Sequence, residues 1–202
     1  MKNVAVRAVT IAATAVFCLE PAVVRANTPS PAQARPAEAA AGPASVGGAT
    51  AGMRLAGQGA LRFLGFEVYS ARLWVRPGFD LNDYATQPLA LELTYQRNFT
   101  AEAIAKRSID EMRRVGSFSA QQAARWQEDL KAALPDVKPG DRLTGLYRPG
   151  TGAVFEMGGK VVGEVPDAEF ARLFFGIWLS PQTSEPGLRQ ELVSALRPAG
   201  RP

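Results

Sequence analysis

The chain has 202 residues, a formal net charge of +4, one cysteine and no histidine. Without histidine, the usual zinc sites and both the Ser-His-Asp and Cys-His nucleophile systems are excluded, and any acid–base work falls to Asp, Glu, Lys or Tyr. No Lys/Arg cluster stands out along the sequence, so charge does not argue for a nucleic-acid partner.

Lys2 and Arg7 precede an uncharged apolar run from Ala8 to Leu19, and Val24-Arg25-Ala26 offers small residues where a signal peptidase cuts. The run is shorter than the roughly 20 residues that span a bilayer. Residues 1–26 therefore read as a cleaved secretory signal and the product as periplasmic, with an uncleaved anchor as the alternative. Phe17 is too bulky a neighbour for lipid attachment at Cys18. Cleavage removes Lys2, Arg7, Arg25 and Glu20, which takes the formal charge from +4 to +2. It also removes the only thiol, so on this reading the mature chain forms no disulfide and offers no thiol for catalysis or metal. On this reading the membrane is met only through the export signal.

Residues 27–52 are rich in Ala, Pro and Gly, with almost no large apolar side chain. Such a stretch cannot bury enough surface to offset its ordering entropy and reads as a disordered linker. Residues 53–197 suffice for one domain. Its first elements are strands: Leu61 to Phe63 and Phe66 to Arg76 flank a tight turn at Leu64-Gly65. Leu89, Leu91, Leu93 and Tyr95 alternate with smaller or polar residues, which predicts a third strand with one buried face.

Helical spacing follows. Thr100 is an N-cap for a helix to about Val115, with Ile104, Ser108, Met112 and Val115 on one face and Gly116 as its stop. Ser119 and Gln122 fit a capping box for a second helix, whose inner side carries Ala123, Trp126, Leu130 and Ala133 before Pro135 ends it. Three strands return at Arg142 to Tyr147, Ala153 to Met157 and Lys160 to Glu164, joined by glycine-containing turns. Asp167 caps a third helix with the stripe Phe170, Phe174, Ile177 and Trp178. A last helix, about Pro186 to Leu196, carries Leu188, Leu192 and Leu196. Strands and helices are segregated, which predicts an α+β fold with a helical layer on one face of an antiparallel sheet.

Four stretches in this order carry a resemblance: GQGALRFLGFEVYSARLWV from Gly57, LELTYQRNFTAEAI from Leu91, LPDVKPGDRLTGLY from Leu134, and GGKVVGEVPDAEFARLFFGIWLS from Gly158. Together the sequence from Leu55 to about Leu196 resembles the chalcone isomerase-like family, especially its bacterial exported branch. The resemblance implies an open-faced β-sandwich with a ligand cleft between sheet and helices. In plants the family includes true chalcone isomerases and non-catalytic fatty-acid-binding proteins. The isomerases use a tyrosine near the start of the first long helix, where this chain has Ile104, and a threonine on the second strand, where it has Tyr69. The fatty-acid binders pair an arginine with a tyrosine on the first hairpin, and Arg62 and Tyr69 match those positions.

A two-residue turn at Leu64-Gly65 sets Arg62 opposite Glu67, and strict alternation then puts Arg62, Glu67 and Tyr69 on one face. Arg62 would give a carboxylate two parallel hydrogen bonds and Tyr69 a third. Tyr95 and Arg97 end the third strand and are further candidates to line the cleft. Arg62 and Glu67 equally suit a solvated cross-strand ion pair, and Tyr69 a core position. The expected partner is a small amphipathic ligand, a fatty acid or a phenolic compound. No catalytic residue, metal ligand or cofactor motif is assigned. The alternative is an isomerase or lyase acting on a phenolic or enone substrate, with Arg62 as oxyanion partner and Tyr69 or Tyr95 as acid or base.

Overall fold

Six strands pair antiparallel in chain order: β1 (Arg54–Phe63), β2 (Phe66–Val75), β3 (Leu89–Tyr95), β4 (Arg142–Arg148), β5 (Gly152–Met157) and β6 (Lys160–Val165). The computed structural model describes residues 50–196. The expected signal at 1–26 and most of the expected linker at 27–52 lie outside the described residues. Four helices complete the domain: α1 (Ala101–Val115), α2 (Ala120–Ala133), α3 (Ala168–Leu179) and α4 (Pro186–Leu192). Short 3-10 turns stand at Leu81–Thr86 and Ser194–Leu196, so the last predicted helix breaks at Val193 instead of running through.

The register shows which side of the sheet the helices cover. Leu61 faces Tyr69, which faces Tyr95; Leu73 faces Leu91, which faces Gly145; Gly145 faces Phe155. These residues share one face, and α3 meets it through Phe174 and Phe175. The predicted α+β arrangement, an antiparallel sheet with a helical layer on one face, is what the chain adopts.

One strand differs from the expectation. β1 begins at Arg54, seven residues before the predicted Leu61. Gly57, Gln58 and Gly59 lack strand character, yet α4 lies directly over them. A Cβ on Gly57 would stand 2.2 Å from the Glu191 carbonyl oxygen. Glycine here answers to a helix more than 130 positions away, not to local conformation.

The helix ends follow their capping residues. The Thr100 hydroxyl accepts from Ala103 N–H at 3.1 Å, and Ser119 and Gln122 form the reciprocal capping box at 3.1 and 3.0 Å. Asp167 does more than cap α3. Its carboxylate accepts from Phe170 N–H at 2.9 Å and from the indole of fully buried Trp126 at 2.8 Å, and it pairs with Arg125 at 2.8 Å. Burial pushes this carboxyl up, but the bonds from Phe170 and Trp126, with Arg125, outweigh it and hold the pKa below the ordinary 3.8.

Asp167→Ala is expected to destabilise the domain by about 2–4 kcal/mol at neutral pH, from a lost cap and a stranded indole. Because the folded pKa is lowered, the contribution is complete above pH 3.8 and is lost as pH falls through the folded value. Denaturation of the two proteins should therefore show a stability gap that narrows below pH 3.8.

Candidate functional site

At the end of the sheet that carries the β1–β2 turn, the helical layer does not close onto the strands. A cavity of about 710 Å³ remains, bounded by β1, β2, β3, α1, α3 and the segment after α3. Its walls are mostly apolar: Leu61, Val68 and Leu93 from the strands, Ile104 from α1, and Phe174 and Ile177 from α3.

A bulge decides which side chains enter it. Arg62 pairs with Glu67 and Phe63 with Phe66 across the turn, as the two-residue loop predicts. The next pair is Leu61 with Tyr69, so Val68 is an extra residue on β2. Its carbonyl accepts from Gln96 N–H at 2.9 Å. The bulge moves Tyr69 onto the helical face with Leu61 and leaves Arg62 and Glu67 on the other. The expected single face for Arg62, Glu67 and Tyr69 is therefore corrected, and the cause is one inserted valine.

Tyr69 then stands beside Tyr95, ring centroids 6.1 Å apart in an edge arrangement. The Trp178 indole donates to the Tyr69 hydroxyl at 3.0 Å, which leaves the tyrosine's own proton to donate. The Tyr95 hydroxyl has no hydrogen-bond partner among the described residues. Burial pushes the Tyr69 phenol up to about 12, against a smaller lowering by the Trp178 bond. Burial also pushes Tyr95 up, and Tyr69 adds to it. Both phenols are thus proton donors across the physiological range.

The opposite wall belongs to α1. Asp136 accepts from Ala101 N–H at 2.8 Å, and Phe99 and Val137 exchange backbone bonds at 3.0 and 2.9 Å, which pins the start of this helix. Residues Ile104, Arg107, Ser108 and Glu111 then recur on the cavity side. Glu111 is 6% exposed, and its two oxygens are taken by Arg107 at 2.6 Å and Arg114 at 3.3 Å. After α3, Thr183 donates to the Ile177 carbonyl at 2.6 Å and accepts from Glu185 N–H at 3.1 Å, a fold-back that brings Ser184 and Glu185 to the wall.

All four residues singled out from sequence line the cavity, but in two groups. Tyr69 and Tyr95 are inside. Arg62 and Arg97 are at the rim: Arg62 has 67% of its side chain exposed and pairs with Glu67 at 3.6 Å, and Arg97 lies over the Phe66 ring at 4.9 Å. Sequence reasoning missed Arg107 and Glu111, and it placed Trp178 in the core only. Polar Ser108 and Glu111 at buried positions of α1 were the available signal.

The sequence model of a family described as chalcone isomerase-like matches residues 38–194. A protein of Haemophilus influenzae described as uncharacterized is 27% identical over 129 residues, which cover 63% of this chain and 61% of that protein. The match thus spans less than two thirds of the relative's length. Among solved structures, an Arabidopsis thaliana fatty-acid binding protein superposes with a TM-score of 0.55 at 11% identity, covering 70% of this chain and 87% of the other. At that identity the likeness is one of fold.

Proposed function

The chain belongs to the chalcone isomerase-like family, and from that membership and the cavity we propose that it binds a small amphipathic ligand of the fatty-acid kind without transforming it. The observation that carries the reading is a mostly apolar cavity of about 710 Å³ with the Tyr69 and Tyr95 phenols inside, Arg62 and Arg97 at its rim, and Arg107 on its α1 wall already paired with Glu111. That volume falls within the roughly 300–1,000 Å³ of small-molecule sites, and few polar groups in an apolar wall is their usual composition. Tyr69, with Tyr95 beside it, would hold the oxygen atoms of the head group. The tail would lie against Leu93, Ile104, Phe174 and Ile177. Arg62 and Arg97 would attract an anionic head at entry. The fatty-acid binding named for the Arabidopsis structure supports this choice of ligand by analogy of fold alone. A periplasmic location, read from residues 1–26, is part of the same proposal.

An isomerase or lyase would want a tyrosine whose phenol ionises near neutral pH. Burial drives Tyr69 and Tyr95 the other way. The chain also carries Ile104 where the isomerases would have their helix tyrosine. Both points favour carriage over catalysis.

Titrating lipid-stripped protein with a long-chain fatty acid tests the site. Tyr69→Phe should weaken binding roughly ten- to a hundredfold, since a hydrogen bond to a charged acceptor contributes about 1.5–3 kcal/mol. Arg62→Ala, removing an exposed rim cation already paired with Glu67, should change it by less than about threefold. The reverse order would move the head group from the tyrosines to the rim.

A further inference from the structure

The turn between β1 and β2 carries three large apolar side chains into solvent: Phe63 is 69% exposed, Leu64 81% and Phe66 62%. They form one cluster at the tip of the hairpin, and all three border the mouth of the cavity. Leu64 is at φ 50 and Gly65 at φ 81. Two successive left-handed residues make a turn that strongly prefers Asn or Asp before Gly. Leucine is therefore unfavourable here twice over, by backbone conformation and by exposure. Among the described residues Leu64 is the one non-glycine with positive φ. Stability of the hairpin does not account for its presence.

We propose that this tip inserts into the surface of a lipid bilayer and places the cavity mouth against the membrane. The chemistry of the tip selects that partner. Phenylalanine and leucine at the apex suit the boundary between acyl chains and head groups. Behind the apex, Arg97, an exposed residue, lies with its guanidinium over the Phe66 ring, where it would meet an anionic head group. Arg62 contributes less, since Glu67 pairs with it at 3.6 Å. The inference rests on the carrier reading in one respect: an amphiphile that is sparingly soluble in water must be loaded from, or delivered to, a bilayer. It adds a membrane contact that an export signal does not supply.

Co-sedimentation with vesicles of phosphatidylglycerol and phosphatidylcholine tests it on the mature protein. Wild type should partition onto the vesicles, more as the anionic fraction rises. Leu64→Asn should lower partitioning at least tenfold while its melting temperature stays equal or rises, because asparagine relieves the turn. Phe63→Ser should lower partitioning similarly. Wild type that stays in the supernatant, or tip variants that sediment as wild type does, would overturn the proposal. So would sedimentation analysis showing that the tip joins two copies of the chain, with Leu64→Asn dissociating them. The two readings separate on wild type alone. Fatty-acid binding without vesicle association sinks the docking surface and spares the cavity; vesicle association without fatty-acid binding does the opposite.

Discussion

Gly57→Ala should cost about 3 kcal/mol or more and lower the melting temperature by roughly 6–12 °C. The added Cβ would meet the Glu191 and Leu192 carbonyl oxygens at 2.2 and 2.5 Å. Neither atom is the end of a flexible side chain, so α4 as a whole must lift from the sheet. That helix seats Leu188 and fully buried Leu192 in the core. Lifting it loses this burial, at about 25 cal/mol for each Å² re-exposed. Gly59→Ala is the control. Its Cβ would meet the Glu191 carboxylate and a Leu188 methyl, which can rotate aside, and the Glu191 Cβ at 2.9 Å, which asks of α4 a much smaller shift than the carbonyl contacts at Gly57 do. Thermal denaturation should rank Gly57→Ala well below Gly59→Ala. Equal melting temperatures would show that α4 does not rest on β1 as described.

Filling the cavity has the second large effect. Ile104 projects from α1 into it and is only partly buried. Ile104→Trp adds an indole's bulk where a ligand tail would lie, without removing a polar partner. Affinity for a long-chain fatty acid should fall at least about a hundredfold, the equivalent of roughly 2.7 kcal/mol. The fold should hold, because the new ring gains apolar contact in space already present. Retained affinity in a folded Ile104→Trp protein would mean that the ligand lies elsewhere.

Much of the architecture was legible because its causes are local. The Thr100, Ser119 and Asp167 caps, the alternation through β3, and the turn glycines each act within a few residues. What escaped was set at a distance or by a break in periodicity. Gly57 and Gly59 look like strand breakers until α4 is placed over them. The face of Tyr69 depends on the Val68 bulge, and no feature of valine announces one. Strict alternation therefore joined Arg62 to Tyr69, whereas the fold sends one to the rim and the other inside. Tyr69 was singled out by the resemblance to the hairpin tyrosine of the plant fatty-acid binders, and Tyr95 because it ends the third strand, where a cleft beside a helix can open. Trp178 was read as core from its helical spacing. Its ring does pack on Phe174, while its indole N–H reaches Tyr69, a contact 109 positions apart in sequence.

Carriage by this protein requires that the cavity hold an amphiphile. Native mass spectrometry of the protein purified from its native source, followed by denaturing extraction of whatever co-purifies, is the decisive measurement. A single non-covalent acyl-chain adduct is expected, one per protein and absent from Ile104→Trp. Protein that flies at its bare mass, and still does so after incubation with fatty acids of several chain lengths, would contradict carriage.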